Sequence, residues 1–221
     1  MKNGPLFFLG LFAALTLSFG GIVLGSHAQL GGLAPYFDDN EGKSFPDRTP
    51  GIAARGQIVY RELGCAACHT QQVRRPGFGS DQGRGWGERQ SVARDFIFQS
   101  TPQLGSARIG PDLTNLAGRK PTPLDAADLS QLLYSGVLPP AKVVTHPQYK
   151  FIFDDQLVVG EKSSKALKLS GALAPAADHM IVPTPRAQAL IAYLLSLNTV
   201  YDYPESRPVP AVAAKKEGEH K

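Results

Sequence analysis

Cysteine is scarce in this chain of 221 residues: there are two, Cys65 and Cys68, too few for a zinc site unless paired histidines join them. Methionine is as scarce, with Met180 the one residue of its kind beyond Met1. A strong excess of one charge is missing too. The formal net charge of +4 is mild and scattered, which argues against a nucleic-acid partner. No Rossmann, P-loop or zinc-hydrolase pattern occurs, and no internal repeat. A composition of 43% hydrophobic and 19% charged residues excludes a disordered chain. The 18 prolines and 23 glycines point to a structure rich in loops.

One long apolar run is present. Residues Pro5 to Leu24 carry no charge, about the length a helix needs to cross a bilayer. Lys2 precedes the run, while Asp38, Asp39 and Glu41 follow it, a bias that places the start of the chain in the cytoplasm and the remainder outside. A cleaved signal peptide is the alternative, since Ser26-His27-Ala28 would pass as its cleavage site. A retained anchor is preferred because signal cores usually run about 7–15 residues. Gly20, Gly21 and Gly25 would let a neighbouring helix approach closely. The expected organisation is an anchor over 1–25, a linker over 26–50, a folded domain over 51–200 and a solvated tail over 201–221.

Within that domain stands Cys65-Ala66-Ala67-Cys68-His69. C-x-x-C-H is the attachment signature of a c-type haem. Its two thiols form thioethers from one short turn, and the histidine ligates the iron. A redox dithiol would not need His69. The reading is one covalently bound haem c, held by Cys65 and Cys68, with His69 as proximal ligand.

Helical spacing surrounds the motif. Ile52, Ile58, Val59 and Leu63 suggest an amphipathic helix that ends at Gly64, directly before Cys65. Thr184-Pro185 caps a second helix through Ala187, Leu190, Ile191, Leu194 and Leu197. Gly56 would allow close approach of the two near Tyr193. Thr122-Pro123-Leu124-Asp125 starts another helix that runs to about Tyr134 and stops at Gly136, and Ser91 to Gln99 is a short helical candidate. The stretch from Pro139 to Pro183 reads as irregular, and His27 and His220 as surface or tail residues.

Three blocks beside the motif are more specific. They are His69-Thr70-Gln71-Gln72-Val73-Arg74, then Gly85-Trp86-Gly87 followed by Ser91-Val92-Ala93-Arg94-Asp95, then Ser106-Ala107-Arg108-Ile109-Gly110-Pro111-Asp112-Leu113. In this order, behind a single apolar segment, they resemble the mono-haem, membrane-anchored subunit II of cbb3-type cytochrome c oxidases. The resemblance implies a mainly α protein: one transmembrane helix, then a class I cytochrome c-like domain with long loops. It implies an electron relay on the outer side of a bacterial inner membrane. The partners would be the catalytic haem–copper subunit and its companions, with a cytochrome or quinol-oxidising complex as donor and lipid around the anchor. The chain would not itself reduce oxygen, since it lacks the histidine clusters that copper needs. A nitric oxide reductase cytochrome subunit and a free membrane-tethered shuttle are the alternatives.

The resemblance also marks residues. Pro111 matches the cytochrome c proline beside the proximal histidine, where a carbonyl can take the His69 Nδ1–H. Arg108 is a candidate partner for a haem propionate, with Arg74, Arg75 and Arg94 behind it. Between 74 and 120 eight basic residues stand against four acids, and Trp86 fits core or interface packing as well as an electron route. The family's axial methionine, in M-P-x-Y-x-x-L-F, is replaced here by His146-Pro147-Gln148-Tyr149-Lys150-Phe151-Ile152-Phe153. His146 is therefore the expected sixth ligand, with Met180 as rival and His179 behind it.

Overall fold

The computed structural model describes residues 3–120, 123–138 and 146–207. Two compact units emerge, one from Met1–Pro46 with Val92–Ser100, the other from Asp47–Ser91 with Thr101–Lys221.

The first unit begins with a continuous apolar helix over Gly4–Leu30. It comprises α1 (Gly4–Ser18), a π-helical turn over Phe19–Leu24 and α2 (Gly25–Leu30). None of its described residues is buried within the chain, as suits a helix whose apolar surface faces lipid on every side. It passes the expected end at residue 25 and includes Ser26-His27-Ala28. The expected linker contains an antiparallel pair, β1 (Tyr36–Asp38) and β2 (Lys43–Phe45), in which Tyr36 faces Phe45. Asp38 Oδ1 accepts the amide of Asn40 at 2.8 Å, an Asx turn that composition alone did not announce. The helix expected over Ser91 to Gln99 shrinks to one 3₁₀ turn, Ala93–Phe96. Arg94 there donates to Ala34 O and lies over the Tyr36 ring.

The second unit is organised by α3 (Gly51–Glu62) and α5 (Pro185–Ser196), its most extensively packed pair of elements. At Gly56 a Cβ would lie 2.6 Å from Tyr193 Cβ and overlap Ala189 O, so only glycine admits this crossing. The face α3 buries is Ala53, Gly56, Val59 and Tyr60. Ile52 and Ile58, expected inside, are about half exposed: the crossing at Gly56 selects the small residues and turns both isoleucines outward. Gly64 ends the helix in the left-handed region at φ 72°, as its position before Cys65 suggests.

Thr184 caps α5 by accepting the Ala187 amide, and its hydroxyl also donates to Ile152 O at 2.7 Å. Helix α4 (Ala126–Ser135) is capped by Asp125, with Asp128 reciprocating in a capping box. It stops at Gly136, as expected. Thr122, read as part of its start, lies outside the described residues. The stretch expected to be irregular holds a second antiparallel pair, β3 (Phe153–Leu157) with β4 (His179–Pro183), in which Gln156 faces Met180.

Candidate functional site

Cys65, Ala66 and Ala67 form a 3₁₀ turn, and the amides of Cys68 and His69 both return to Cys65 O, at 3.1 and 3.0 Å. This tight turn presents both sulfurs and the imidazole from five consecutive residues. Burial, with the neighbouring Cys68 adding to it, pushes the Cys65 thiol up to about 11. A dithiol catalyst requires the opposite shift.

The imidazole of His69 is held from behind. Its Nδ1 lies 2.8 Å from Pro111 O. A carbonyl can only accept, so Nδ1 carries the proton and Nε2 keeps its lone pair for a metal. The loop bearing Pro111 lies hard against the ring: a Cβ on Gly110 would sit 2.7 Å from His69 Nδ1. Gly105, at φ 80°, lies equally close to the backbone, where a Cβ would stand 2.7 Å from Thr70 Cα. Backbone bonds close the loop onto the motif, from Ser106 to Ala66 O, Gly110 to Cys68 O and Leu113 to Thr70 O.

His146 comes from the other side. Helix α4 places it, because the helix's last carbonyls need donors from outside. Tyr149 N reaches Leu133 O at 2.7 Å, Gln148 Nε2 reaches Ser135 O at 2.9 Å and His146 N reaches Gly136 O at 3.2 Å. His146 Nδ1 lies 2.9 Å from Pro147 O, so this imidazole too keeps its proton on Nδ1. Burial pushes it toward the neutral form, the form that binds metal. The two imidazole centroids stand 6.1 Å apart with their planes 33° from parallel. Imidazole–metal bonds run about 2.0–2.1 Å, and with about 1.1 Å from nitrogen to ring centre, two imidazoles that shared one metal from opposite sides would stand about 6.2–6.4 Å apart. The residues therefore fit a shared iron.

Tyr149, not singled out as a site residue by sequence reasoning, completes this side. Its hydroxyl lies beside the Cys65 thiol, and its ring lies 5.9 Å from His146. The rivals are engaged elsewhere. Met180 Sδ accepts the Ser163 amide at 3.3 Å, and His179 Nδ1 lies 2.7 Å from Asp155 Oδ1, which pushes its imidazole toward the charged form. His146 is the one the fold brings to His69.

The arginines sort differently from expectation. Arg108 Nη1 stands 2.5 Å from Asp81 Oδ1 and its Nη2 donates to Gln72 O, also at 2.5 Å. Arg74 pairs with the same Asp81 at 3.1 Å, Arg75 lies over the Phe78 ring and Trp86 lies beside Arg84 and Arg108. Burial would raise the Asp81 carboxyl, yet the bonds from Arg74 and Arg108 outweigh it and hold the group at about 2. Arg119 went unnoticed. Its guanidinium donates to Asp112 O while Nε is buried without a hydrogen-bond partner among the described residues, and it lines a cleft of about 300 Å³ with Asn115 and Lys120. An arginine late in a Gly/Ala loop carries no sequence signal of burial.

No curated protein matches the chain. Residues 43–181 match the family model described as cytochrome c oxidase, mono-haem subunit/FixO. That span contains Cys65, Cys68, His69, Pro111 and His146, and most of the chain with them. The chain belongs to this family, the mono-haem subunits of cbb3-type cytochrome c oxidase.

Proposed function

We propose that this chain relays single electrons to the catalytic haem–copper subunit of a cbb3-type oxidase, through one haem c ligated by His69 and His146. The haem domain would lie on the outer side of a bacterial inner membrane, tethered by Gly4–Leu30. The observation that carries the reading is the facing pair of imidazoles, 6.1 Å apart, each with Nδ1 at a proline carbonyl, beside a C-x-x-C turn. When bound, the haem supplies reversible one-electron chemistry at iron.

The chain's own residues do the rest. Cys65 and Cys68 would hold the group by two thioethers, so it stays in place through many turnovers. Pro111 O and Pro147 O would fix both rings with Nε2 toward the metal, and two protein ligands leave no open position for oxygen. The carboxylates a haem brings need cations. Arg119 and Arg108 are both candidates: Nε of the first and Nη1 of the second are buried without a hydrogen-bond partner among the described residues, although Arg108 is also engaged by Asp81 and Gln72 O. The anchor would limit diffusion to the membrane plane. An oxidase subunit is favoured over a free shuttle by the family, and the upstream donor would be a cytochrome or a quinol-oxidising complex.

Mass spectrometry and haem-dependent peroxidase staining after denaturing electrophoresis test the attachment. The wild-type chain should carry the mass of one haem, and replacing both Cys65 and Cys68 by alanine should abolish the stain. A wild-type chain weighing only its amino acids would sink the reading. Purification of the native complex tests the role: this chain should co-elute with a haem–copper subunit, and its isolation alone from mild detergent would favour the shuttle.

A further inference from the structure

Asp112 is completely buried, and its donors come from both segments that meet behind His69. Oδ2 accepts the Thr70 hydroxyl at 2.5 Å and the Gln72 amide at 2.8 Å, from the segment leaving His69. Oδ1 accepts the Thr114 amide at 2.9 Å, from the loop that has just supplied Pro111 O. Arg108 stands 3.7 Å away. Burying a carboxylate is costly unless its lone pairs are filled, and here the donors that fill them span the joint between ligand and ligand support. Asp81 is just as buried, and its donors are Arg74 and Arg108. Among the described residues none of these bonds reaches Thr70 or Thr114.

We infer that Asp112 is a positioning residue for the proximal imidazole, setting the strength of the His69 Nδ1–Pro111 O hydrogen bond and, through its charge, favouring the oxidised state of the site. The inference rests on the haem-ligating reading of His69. A firm acceptor on Nδ1–H makes an imidazole a more basic ligand, which favours the higher-charged metal. A buried anion nearby acts in the same direction. Clip and charge therefore both lower the potential, and only the clip acts on the Nδ1 proton.

That difference supplies the test. The full anchored chain, with haem attachment verified by staining, is compared with Asp112→Asn, Thr70→Val and Asp81→Asn by redox titration and by NMR exchange of the His69 Nδ1 proton. Asp112→Asn and Thr70→Val should keep the haem, raise the potential and speed that exchange at least about tenfold, the equivalent of about 1.4 kcal/mol of lost protection. Asp81→Asn should shift the potential upward with exchange unchanged. Wild-type exchange in both Asp112→Asn and Thr70→Val overturns the inference, as does equal acceleration in Asp81→Asn. If Asp112→Asn does not fold, Thr70→Val, which loses one hydrogen bond, decides on the same readouts. Absence of haem staining in the wild-type chain would instead remove the haem reading itself.

Discussion

The two imidazoles of the site are held in opposite ways. His69 belongs to the turn that carries both cysteines, and a loop closes over it from behind: Pro111 O takes its proton, Gly110 leaves no room beside the ring, and Asp112 binds both segments together. His146 hangs from the end of α4 by three hydrogen bonds, and its own Nδ1 is satisfied by the next residue's carbonyl. One imidazole is enclosed by its surroundings and the other is suspended. Changes behind His69 should therefore cost stability, whereas changes at His146 should alter the chemistry and leave the fold intact.

Replacing His146 is the harshest test of that contrast. His146→Met should leave haem attached and melting nearly unchanged, while the potential rises, since methionine ligation favours the reduced iron and axial ligands span about 0.8 V between them. A thioether charge-transfer band should appear at the red end of the oxidised spectrum. Its presence in the wild-type protein would assign the sixth position to Met180 instead. His146→Ala should open the site, read as carbon monoxide binding by the reduced protein.

On the proximal side, Gly110→Ala forces a methyl group against His69. Overpacking of this kind costs about 1–3 kcal/mol, so the melting temperature should fall and the Nδ1–Pro111 O bond should weaken. Gly32→Ala, where a Cβ meets nothing within 4 Å, serves as control. Equal melting of the two variants would mean that the proximal side yields to the added methyl group.

Acid should act on the same side. The Asp81 carboxyl sits at about 2, below the about 3.9 of an unfolded chain. Its contribution is fully present above about pH 4 and is lost as pH falls toward about 2, amounting to about 2.6 kcal/mol. Urea midpoints measured down this window should drop for the wild type and more shallowly for Asp81→Asn.

What was readable in advance follows the same division. Cys65, Cys68 and His69 sit in one contiguous motif and could be named as candidates from the residues themselves, whereas Pro111 O beside His69 Nδ1 was implied by the family resemblance. Both long helices of the second unit were visible from Thr184 and Gly64, which act locally as cap and stop, while Gly56 marked where the two cross. The pairing of β3 with β4 was not. Phe153-Asp154-Asp155-Gln156-Leu157 has no alternation, and only Phe153 is buried, so its signal lies in the partner strand. Asp81, Asp112 and Arg119 entered only the charge count, and Arg108 was offered to a propionate rather than to Asp81, because the pairing of a buried ion depends on partners distant in sequence. His146 could be proposed from its flanking residues, but the carbonyls that hold it belong to α4.

The mildest prediction concerns that suspension. Gln148 reaches from the distal segment to Ser135 O at 2.9 Å, one of the orphan carbonyls at the end of α4. Gln148→Ala removes this donor, and a single neutral hydrogen bond is worth about 1 kcal/mol. Tyr149 N and His146 N still bind Leu133 O and Gly136 O, so the segment should stay attached while its tilt loosens. The expected result is a small fall in melting temperature with a measurable rise in carbon monoxide binding to the reduced protein, because a loosened His146 yields its place more often. A variant that melts lower with carbon monoxide binding unchanged would show that the three bonds serve α4 alone, and that the distal imidazole is fixed as firmly as the proximal one.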